Sequence, residues 1–135
     1  MTESESYING KTCLITGATS GIGKITAMEL AKQGSQIIIL SRNEGKCRRT
    51  VDKINNMAGE SRAEYLVVDL SVMQNVRKAA DEFRSLYDNL DVLINNAGAY
   101  FTSRNVTDDG HELTFALNHL SHFLFTHFLL DLLNK

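Results

Sequence analysis

The segment 16–23 constrains this chain more than any other, because its glycines are spaced Gly-x-x-x-Gly-x-Gly between an apolar run and a helical run. A strand that turns directly into a helix presents backbone N–H groups, and glycine lets a diphosphate approach them. Gly17 suits a sharp turn with a positive φ, Gly21 leaves room for a pyrophosphate, and Gly23 lets the helix pack close to the strands. The residues of this segment predicted to contact a dinucleotide are Gly17, Thr19, Ser20, Gly21, Ile22 and Gly23.

Strand and helix patterns alternate along the rest of the chain. Short apolar runs predict strands at 12–15, 36–40, 65–68 and 92–94. Periodic apolar positions predict helices over 22–33, about 47–58, from a Ser71–Gln74 capping box to about 86, and from a cap at Thr107, Asp108 or Asp109 to about Leu133. This alternation predicts an α/β fold, a Rossmann-type doubly wound parallel sheet in the order 3-2-1-4 with helices on both faces, truncated before a fifth strand.

Polar turns follow the other predicted strands as well. In the order 3-2-1-4 the first and fourth strands are neighbours at the switch point of the sheet, which is where such folds bind ligands. The turn at 95–98 therefore meets the glycine turn there, and the ends of the second and third strands lie beside them. The residues of these turns predicted to contact the cofactor are Ser41, Arg42, Asp69, Leu70, Asn95, Asn96, Ala97 and Gly98.

The end of the second strand indicates which dinucleotide binds and the end of the third suits adenine, and each has a second interpretation. A carboxylate at the end of the second strand binds the ribose hydroxyls of NAD, whereas Ser41 and Arg42 suit a 2′-phosphate. The sequence thus favours NADP, with NAD still possible, unless Arg42 is only a solvated residue at a helix start. Asp69 can accept the adenine amino group while Leu70 offers its backbone, or Asp69 caps the next helix.

Three motifs, Thr-Gly-x-x-x-Gly-Ile-Gly at 16–23, Val-Val-Asp-Leu at 67–70 and Asp-Val-Leu-Ile-Asn-Asn-Ala-Gly at 91–98, together resemble the classical short-chain dehydrogenase/reductase family. The resemblance runs from Lys11 to about Leu133. It implies that the turn at 95–98 supports the sheet and lines the adenosine ribose. It also implies that Asn118 belongs to the catalytic set, where it positions a water that relays protons to a lysine.

The run 118–123, Asn-His-Leu-Ser-His-Phe, is most similar to the retinol-dehydrogenase-like branch, although Ser121 stands where glycine is common. The family's catalytic serine and Tyr-x-x-x-Lys are implied to follow Lys135, so the resemblance covers the N-terminal, cofactor-binding half. Tyr7 and Lys11 have the Tyr-x-x-x-Lys spacing, but they precede the first strand and are predicted not to be catalytic.

Two classes of function stay open at this point. The first is the NADP(H)-binding portion of an oxidoreductase whose full-length form transfers hydride between NADP(H) and an alcohol or carbonyl substrate. The second is a non-catalytic dinucleotide-binding or interaction fragment. Whether the chain acts as an enzyme by itself is left undecided, since a positioned proton donor is needed for the reaction.

Other partners are not expected. A net charge of −2 gives no reason to expect nucleic acid binding. His119, His122 and His127 lack a carboxylate to complete a metal site. The stretch 113–133 is apolar, but its polar interruptions argue against a membrane span. Its apolar side chains and the open edge of the fourth strand predict association, most simply as a homo-oligomer.

The domain organisation is predicted to be simple. Residues 1–10 read as a flexible N-terminal tail, acidic at its start and without the basic and apolar regions of a signal peptide. Residues 11–135 read as one NAD(P)-binding Rossmann domain. Cys13 and Cys47 follow no metal-binding spacing and are expected to be reduced thiols. These features predict a cytoplasmic protein.

Overall fold

Four strands form a single parallel sheet in the computed structural model, which describes residues 6–135. The strands are β1 (Thr12–Thr16), β2 (Gln36–Ser41), β3 (Ala63–Val67) and β4 (Val92–Ile94). The helices are α1 (Gly21–Lys32), α2 (Glu44–Ala58), α3 (Met73–Leu86), a short α4 (Leu113–Phe115) and α5 (Ser121–Leu133). The order across the sheet is β3-β2-β1-β4. The predicted Rossmann-type fold in the order 3-2-1-4 is confirmed.

The central strand β2 shows why helices cover both faces of the sheet. Its residues 37–40 are all apolar and fully buried, and alternate side chains point to opposite faces. Ile37 and Ile39 belong to the core formed with α1 and α2. Ile38 and Leu40 belong to the core formed with α3 and α5. A strand buried on both sides cannot lie at a solvent-facing surface, so this run fixes the three-layer arrangement.

The pairing of β1 brings the two glycine-containing turns together. Cys13 pairs with Ile37 of β2 on one side and with Val92 of β4 on the other. Since all strands are parallel, the turns that follow β1 and β4 emerge at the same edge of the sheet. Among the described residues, β4 pairs with β1 alone.

The prediction of a capping box at Ser71 and Gln74 is wrong. Helix α3 begins after Val72, which provides no side-chain cap. The Ser71 hydroxyl instead donates to Asp69 Oδ1 at 2.7 Å, so it is not available to the helix. The N–H of Met73 donates to Asp109 Oδ2 at 3.0 Å, which means that a residue distant in sequence satisfies the start of this helix.

The predicted cap of the last helix is also wrong. Thr107, Asp108 and Asp109 lie in a tight hairpin, closed where the Thr107 N–H donates to the His111 carbonyl at 2.7 Å. The cap is Glu112, whose carboxylate accepts from the N–H groups of Thr114 at 3.1 Å and Phe115 at 2.8 Å. A carboxylate at a helix start is favourable because the first N–H groups have no partner within the helix.

The last helical segment is continuous but not uniform. The short α4 passes directly into a π-helical turn at Ala116–Leu120, which passes into α5. A π-helical turn inserts one extra residue into the helix, and such turns are frequent at functional sites. Within residues 6–135, no helix combines the length and apolar character that a bilayer crossing requires.

The predicted tail 1–10 lies partly outside the described residues. From residue 6 onward the chain contacts the α1–β2 connection: the Gly10 N–H donates to the Gly34 carbonyl at 3.0 Å, and the Ser35 hydroxyl donates to the Ile8 carbonyl at 2.9 Å. The boundary between tail and domain stays a prediction.

Candidate functional site

The glycine turn connects β1 to α1 as its spacing requires. Gly17 has a φ of +67° and Gly21 a φ of +54°, values that favour glycine. A Cβ on Gly17 would lie 2.7 Å from the Ala97 Cα, whereas a Cβ on Gly21 would meet no atom within 4 Å. The first glycine therefore makes room for the protein's own backbone, and the second faces open space.

The start of α1 has backbone donors that find no hydrogen-bond partner among residues 6–135. Ser20 is the N-cap, and its hydroxyl makes no capping hydrogen bond. The first helical hydrogen bond of this turn runs from the Lys24 N–H to the Ser20 carbonyl. The N–H groups of Gly21, Ile22 and Gly23 precede it and have no intrahelical acceptor. Their partial positive charge, together with the helix dipole, favours an anion at this position.

Asn96 ties the turn after β4 to the glycine turn. Its side-chain amide donates to the carbonyls of Thr16 and Gly17, both at 3.1 Å. A Cβ on Gly23 would collide with this amide and would lie 2.8 Å from the Gly17 carbonyl oxygen. Gly23 thus lets α1 approach the sheet closely, as predicted, and what it makes room for is the Asn96 side chain.

The buried Thr16 hydroxyl completes this connection. Thr16 Oγ1 accepts from the N–H groups of Asn96 at 3.0 Å and Ala97 at 2.9 Å. It also lies 3.5 Å from the Ile94 carbonyl oxygen, to which it donates. One hydroxyl therefore fixes the beginning of the turn after β4 against the end of β1.

A cavity of about 630 Å³ opens at this edge of the sheet. Such a volume lies within the usual range for cofactor sites. Most of the predicted contact residues line it: Gly17, Thr19, Ser20, Gly21, Ile22, Ser41, Arg42, Asp69, Leu70, Asn96, Ala97 and Gly98. The lining also includes Leu40, Val68, Ser71, Ala99, Phe101, Leu113 and Leu117. The cavity therefore brings together residues from the ends of all four strands and from the start of the last helix.

Ser41 and Arg42 line the part of the cavity at the end of β2. Arg42 is exposed, and its guanidinium forms no hydrogen bond or ion pair with another described residue. Asn43, the next residue, caps α2 by accepting from the Lys46 N–H at 2.9 Å. Because Asn43 supplies the cap, Arg42 has no capping role and its five donors are free for a ligand.

Asp69 uses one of its two carboxylate oxygens in hydrogen bonds to Ser71. Its Oδ1 accepts from the N–H of Ser71 at 3.0 Å and from the Ser71 hydroxyl, which makes a local turn before α3. This turn is not the expected cap of the next helix, whose N-cap is Val72, and the adenine contact stays a prediction. It does hold the carboxylate at the cavity wall, with Oδ2 free of hydrogen bonds to the described residues.

Asn118 lies in the π-helical turn and holds the loop after β4. Its Oδ1 accepts from the Ala99 N–H at 2.9 Å, and its Nδ2 donates to the Ala99 carbonyl at 2.8 Å. The amide oxygen and the amide nitrogen of Asn118 therefore both bond to the backbone of Ala99. Asn118 is exposed and is not among the residues that line the cavity.

Asn95 and Gly23 also lie outside the cavity lining. The Asn95 amide points to the last helix, where it donates to the Thr126 hydroxyl at 2.9 Å. His122, between these contacts, has a buried Nε2 with no hydrogen-bond partner among the described residues. Burial lowers the pKa of His122, and the nearby His119 lowers it further, while the backbone of Ala97 acts in the opposite direction.

Tyr7 and Lys11 lie at the other end of the sheet. Tyr7 is 91% exposed, and Lys11 pairs with Asp91, which precedes β4, at 3.3 Å. They border a second, separate cavity at the amino ends of the strands. No group of three or more metal-ligating side chains occurs in residues 6–135.

Comparison with known proteins identifies the family. The family model described as short chain dehydrogenase matches residues 11–135. The chain belongs to the short-chain dehydrogenase family. The predicted membership is therefore confirmed.

Individual relatives of this short-chain dehydrogenase chain agree with the assignment. It is 39% identical over 128 residues to human retinol dehydrogenase 13, a match covering 95% of the chain and 39% of that relative. The chain thus spans about two fifths of the length of the curated relatives it matches. Retinol dehydrogenases from human and mouse recur among these relatives, in line with the resemblance to the retinol-dehydrogenase-like branch.

Solved structures match over nearly the whole chain. A Pseudomonas aeruginosa RhlG/NADP active-site complex superposes with a TM-score of 0.81 at 29% identity, covering 98% of this chain and 51% of that one. L-sorbose reductase from Gluconobacter frateurii, complexed with NADPH and L-sorbose, gives a TM-score of 0.80 at 25% identity, covering 93% and 48%.

Several site residues of this short-chain dehydrogenase were missed by sequence reasoning. Phe101, Leu113 and Leu117 line the cavity, but they come from the loop after β4 and the start of the last helix, where no motif marks them. Ser71 was assigned to a helix cap and instead lines the cavity. The adjacency of Asp69 and Ser71 is a signal for a local side-chain turn and could have indicated this.

Proposed function

We propose that this chain is the NADP(H)-binding portion of a short-chain dehydrogenase/reductase, whose full-length form transfers hydride between NADP(H) and an alcohol or carbonyl substrate. The observation that supports this most is the cavity itself. It joins free N–H groups of a helix start, an uncommitted arginine and a carboxylate in one continuous wall. These groups are suited to a diphosphate, a 2′-phosphate and an adenine, in that order along the sheet edge.

The start of α1 fits the diphosphate. Ser20, Gly21 and Ile22 line the cavity, and the Ser20 hydroxyl makes no capping hydrogen bond. Any side chain at Gly21 would project into the space that the diphosphate needs, since a Cβ there meets nothing within 4 Å. The turn is therefore a cradle that a larger residue would fill.

The second strand end fits a 2′-phosphate, and the third fits adenine. Arg42 offers charged donors and Ser41 a hydroxyl, while no carboxylate stands at this strand end to repel a phosphate. Asp69 Oδ2 can accept the adenine amino group while Oδ1 stays bonded to Ser71. Leu70 contributes apolar surface and backbone at the same wall.

The nicotinamide ring of the bound dinucleotide would supply or accept the hydride. This chain's own residues bind and orient it. We propose that the turn at 95–98 lines a ribose, and that Asn118 fixes this wall through Ala99 while remaining the position that matches the family's catalytic asparagine. The only Tyr-x-x-x-Lys pair in the sequence, Tyr7 and Lys11, lies at the far end of the sheet, so we assign it no role in proton transfer.

A titration of the two cofactors tests the proposal. We expect the chain to bind NADPH more tightly than NADH in calorimetry, by roughly tenfold or more, because a charge-assisted contact contributes about 1.5–3 kcal/mol. Arg42→Asp is expected to reverse the preference. Arg49→Asp, with the same charge change on exposed α2 and outside the cavity, is the control and is expected to keep it. Tighter binding of NADH by the unmodified chain would contradict NADP selectivity.

The alternative is a non-catalytic dinucleotide-binding or interaction fragment. Phe115, Phe123 and Leu130 of the last helical segment are about half or more exposed, which supports association through this helix. Among the described residues the outer edge of β4 is unpaired, which supports it further. Lack of binding of either cofactor would favour an interaction role. The homo-oligomer and the cytoplasmic location stay predictions.

A further inference from the structure

The last helical segment contacts the loop after β4 through side chains spaced four residues apart. Asn118, His122 and Thr126, here called the polar stripe, occupy one face of the helix because residues four apart lie one above the other. Asn118 bonds Ala99 at 2.9 and 2.8 Å, and Thr126 accepts from Asn95 at 2.9 Å. The stripe thus spans the whole of residues 95–99, here called the wall loop.

His122 occupies the middle of the stripe. It lies four residues from each of the two hydrogen-bonded positions, on the same helix face. Its Nε2 is buried without a hydrogen-bond partner among the described residues. Such an atom costs free energy of folding, so its presence calls for an explanation. The two outer members of the stripe therefore hold residues 95 and 99 of the wall loop, and His122 lies between them on the helix.

The opposite side of the wall loop is held by Thr16. Its hydroxyl accepts from the N–H groups of Asn96 and Ala97. Asn96 to Ala99 line the cavity directly, whereas none of the stripe residues does. A shift of the last helix would therefore move the cavity wall, although no stripe residue itself lines the cavity.

We propose that the polar stripe, with His122 and Thr126 as positioning residues, sets the place of the wall loop and thereby the fit of the dinucleotide. The π-helical turn serves this arrangement. It carries Asn118, the first residue of the stripe, and leads directly into α5, which carries the other two. The part about cofactor fit rests on the proposed function, while the positioning of the wall loop does not.

The test uses Thr126→Val, which removes the hydroxyl and keeps the shape, and Thr126→Ser, which keeps the hydroxyl. Thr26→Val, on half-buried α1 surface outside the cavity, is the matched control. Thr126→Val is expected to speed amide hydrogen exchange of Asn96 and Ala97 by about two- to tenfold and to weaken NADPH binding by a similar factor. Thr126→Ser and Thr26→Val are expected to leave both unchanged.

A second pair of variants tests the middle of the stripe. His122→Phe is expected to weaken NADPH binding and to speed exchange at Ala97, whereas His127→Phe, at an exposed position on α5, is expected to do neither. Equal effects of Thr126→Val and Thr26→Val on both measurements would overturn the proposal. If the unmodified chain fails to bind NADPH, the proposed function fails, and the exchange rates alone still decide whether the stripe positions the loop.

Discussion

The turns after β1 and β4 meet at one cavity, yet they are built in different ways. The turn after β1 is shaped by backbone: its glycines adopt conformations that other residues avoid, and its free N–H groups belong to the helix it starts. The wall loop after β4 is held by side chains that come from far away in sequence, Thr16 on one side and the polar stripe on the other. Local backbone geometry thus forms one half of the site, and long-range side-chain contacts form the other.

The largest effect is expected from a substitution that tests whether the stability of the fold depends on the close approach of the two turns. Gly17→Ala combines a positive φ with a Cβ placed 2.7 Å from the Ala97 Cα, an atom that cannot move aside easily. We expect it to lower the free energy of unfolding by about 2–4 kcal/mol. Gly59→Ala is the control, since its φ of +72° is similar but its Cβ would meet nothing within 4 Å. A loss of about 1 kcal/mol is expected there, both measured by urea unfolding.

Equal losses for these two alanine variants would show that conformational strain alone matters at Gly17. The close approach of the two turns would then contribute little to stability, and the contrast between them would be weaker than the distances indicate.

The difference in construction also explains what the sequence could predict. The glycine turn and the four-strand order follow from spacing and from apolar runs within short windows, as for the run 37–39 that lies buried on both faces. The last helical segment was predicted as one helix with a cap at 107–109. Its true start at Glu112 and its π-helical turn depend on where the loop after β4 returns to the sheet.

Asp109 shows the same limitation most clearly. It was assigned to the helix that follows it, but its carboxylate accepts from Met73, at the start of a helix that precedes it by more than thirty residues. No local pattern marks such a pairing, because the two residues meet only after the sheet has formed. Likewise, nothing near Asn95 in sequence indicates that its partner is Thr126.

A smaller difference in the free energy of unfolding is expected between alanine variants of the two asparagines of the wall loop, Asn95 and Asn96. Asn96 donates to two partly buried carbonyls at 3.1 Å, whereas Asn95 makes one exposed bond to Thr126. Asn96→Ala leaves those carbonyls without this partner, so we expect a loss of about 1–3 kcal/mol in the free energy of unfolding. Asn95→Ala is expected to cost less than about 1 kcal/mol. Denaturant unfolding of both variants measures the difference, and a larger loss for Asn95→Ala would reverse the proposed importance of the two contacts.

The smallest expected effect is that of low pH on stability. Acid is expected to loosen the start of α4 and not the glycine turn. Bonds from the backbone N–H groups of Phe115 and Thr114 hold the pKa of Glu112 below its ordinary value of 4.5. A carboxyl with a lowered pKa in the folded state contributes stability that is fully present above the ordinary pKa. This contribution is lost as the pH falls through the lower, folded value. The start of α4 should therefore loosen below about pH 4.5.

Glu112→Gln removes this titration while keeping an oxygen that can cap the helix. We expect the variant to be slightly less stable than the unmodified chain at neutral pH and to lose less of its stability as the pH falls below 4.5, the ordinary pKa of this carboxyl. Glu82→Gln, the same change on the exposed face of α3, is the control. Amide exchange at Thr114 and Phe115 across that window localises the effect. If acid instead speeds exchange at the start of α1 first, the backbone-built turn is the weaker half of the site, and the expected difference between the two turns is reversed.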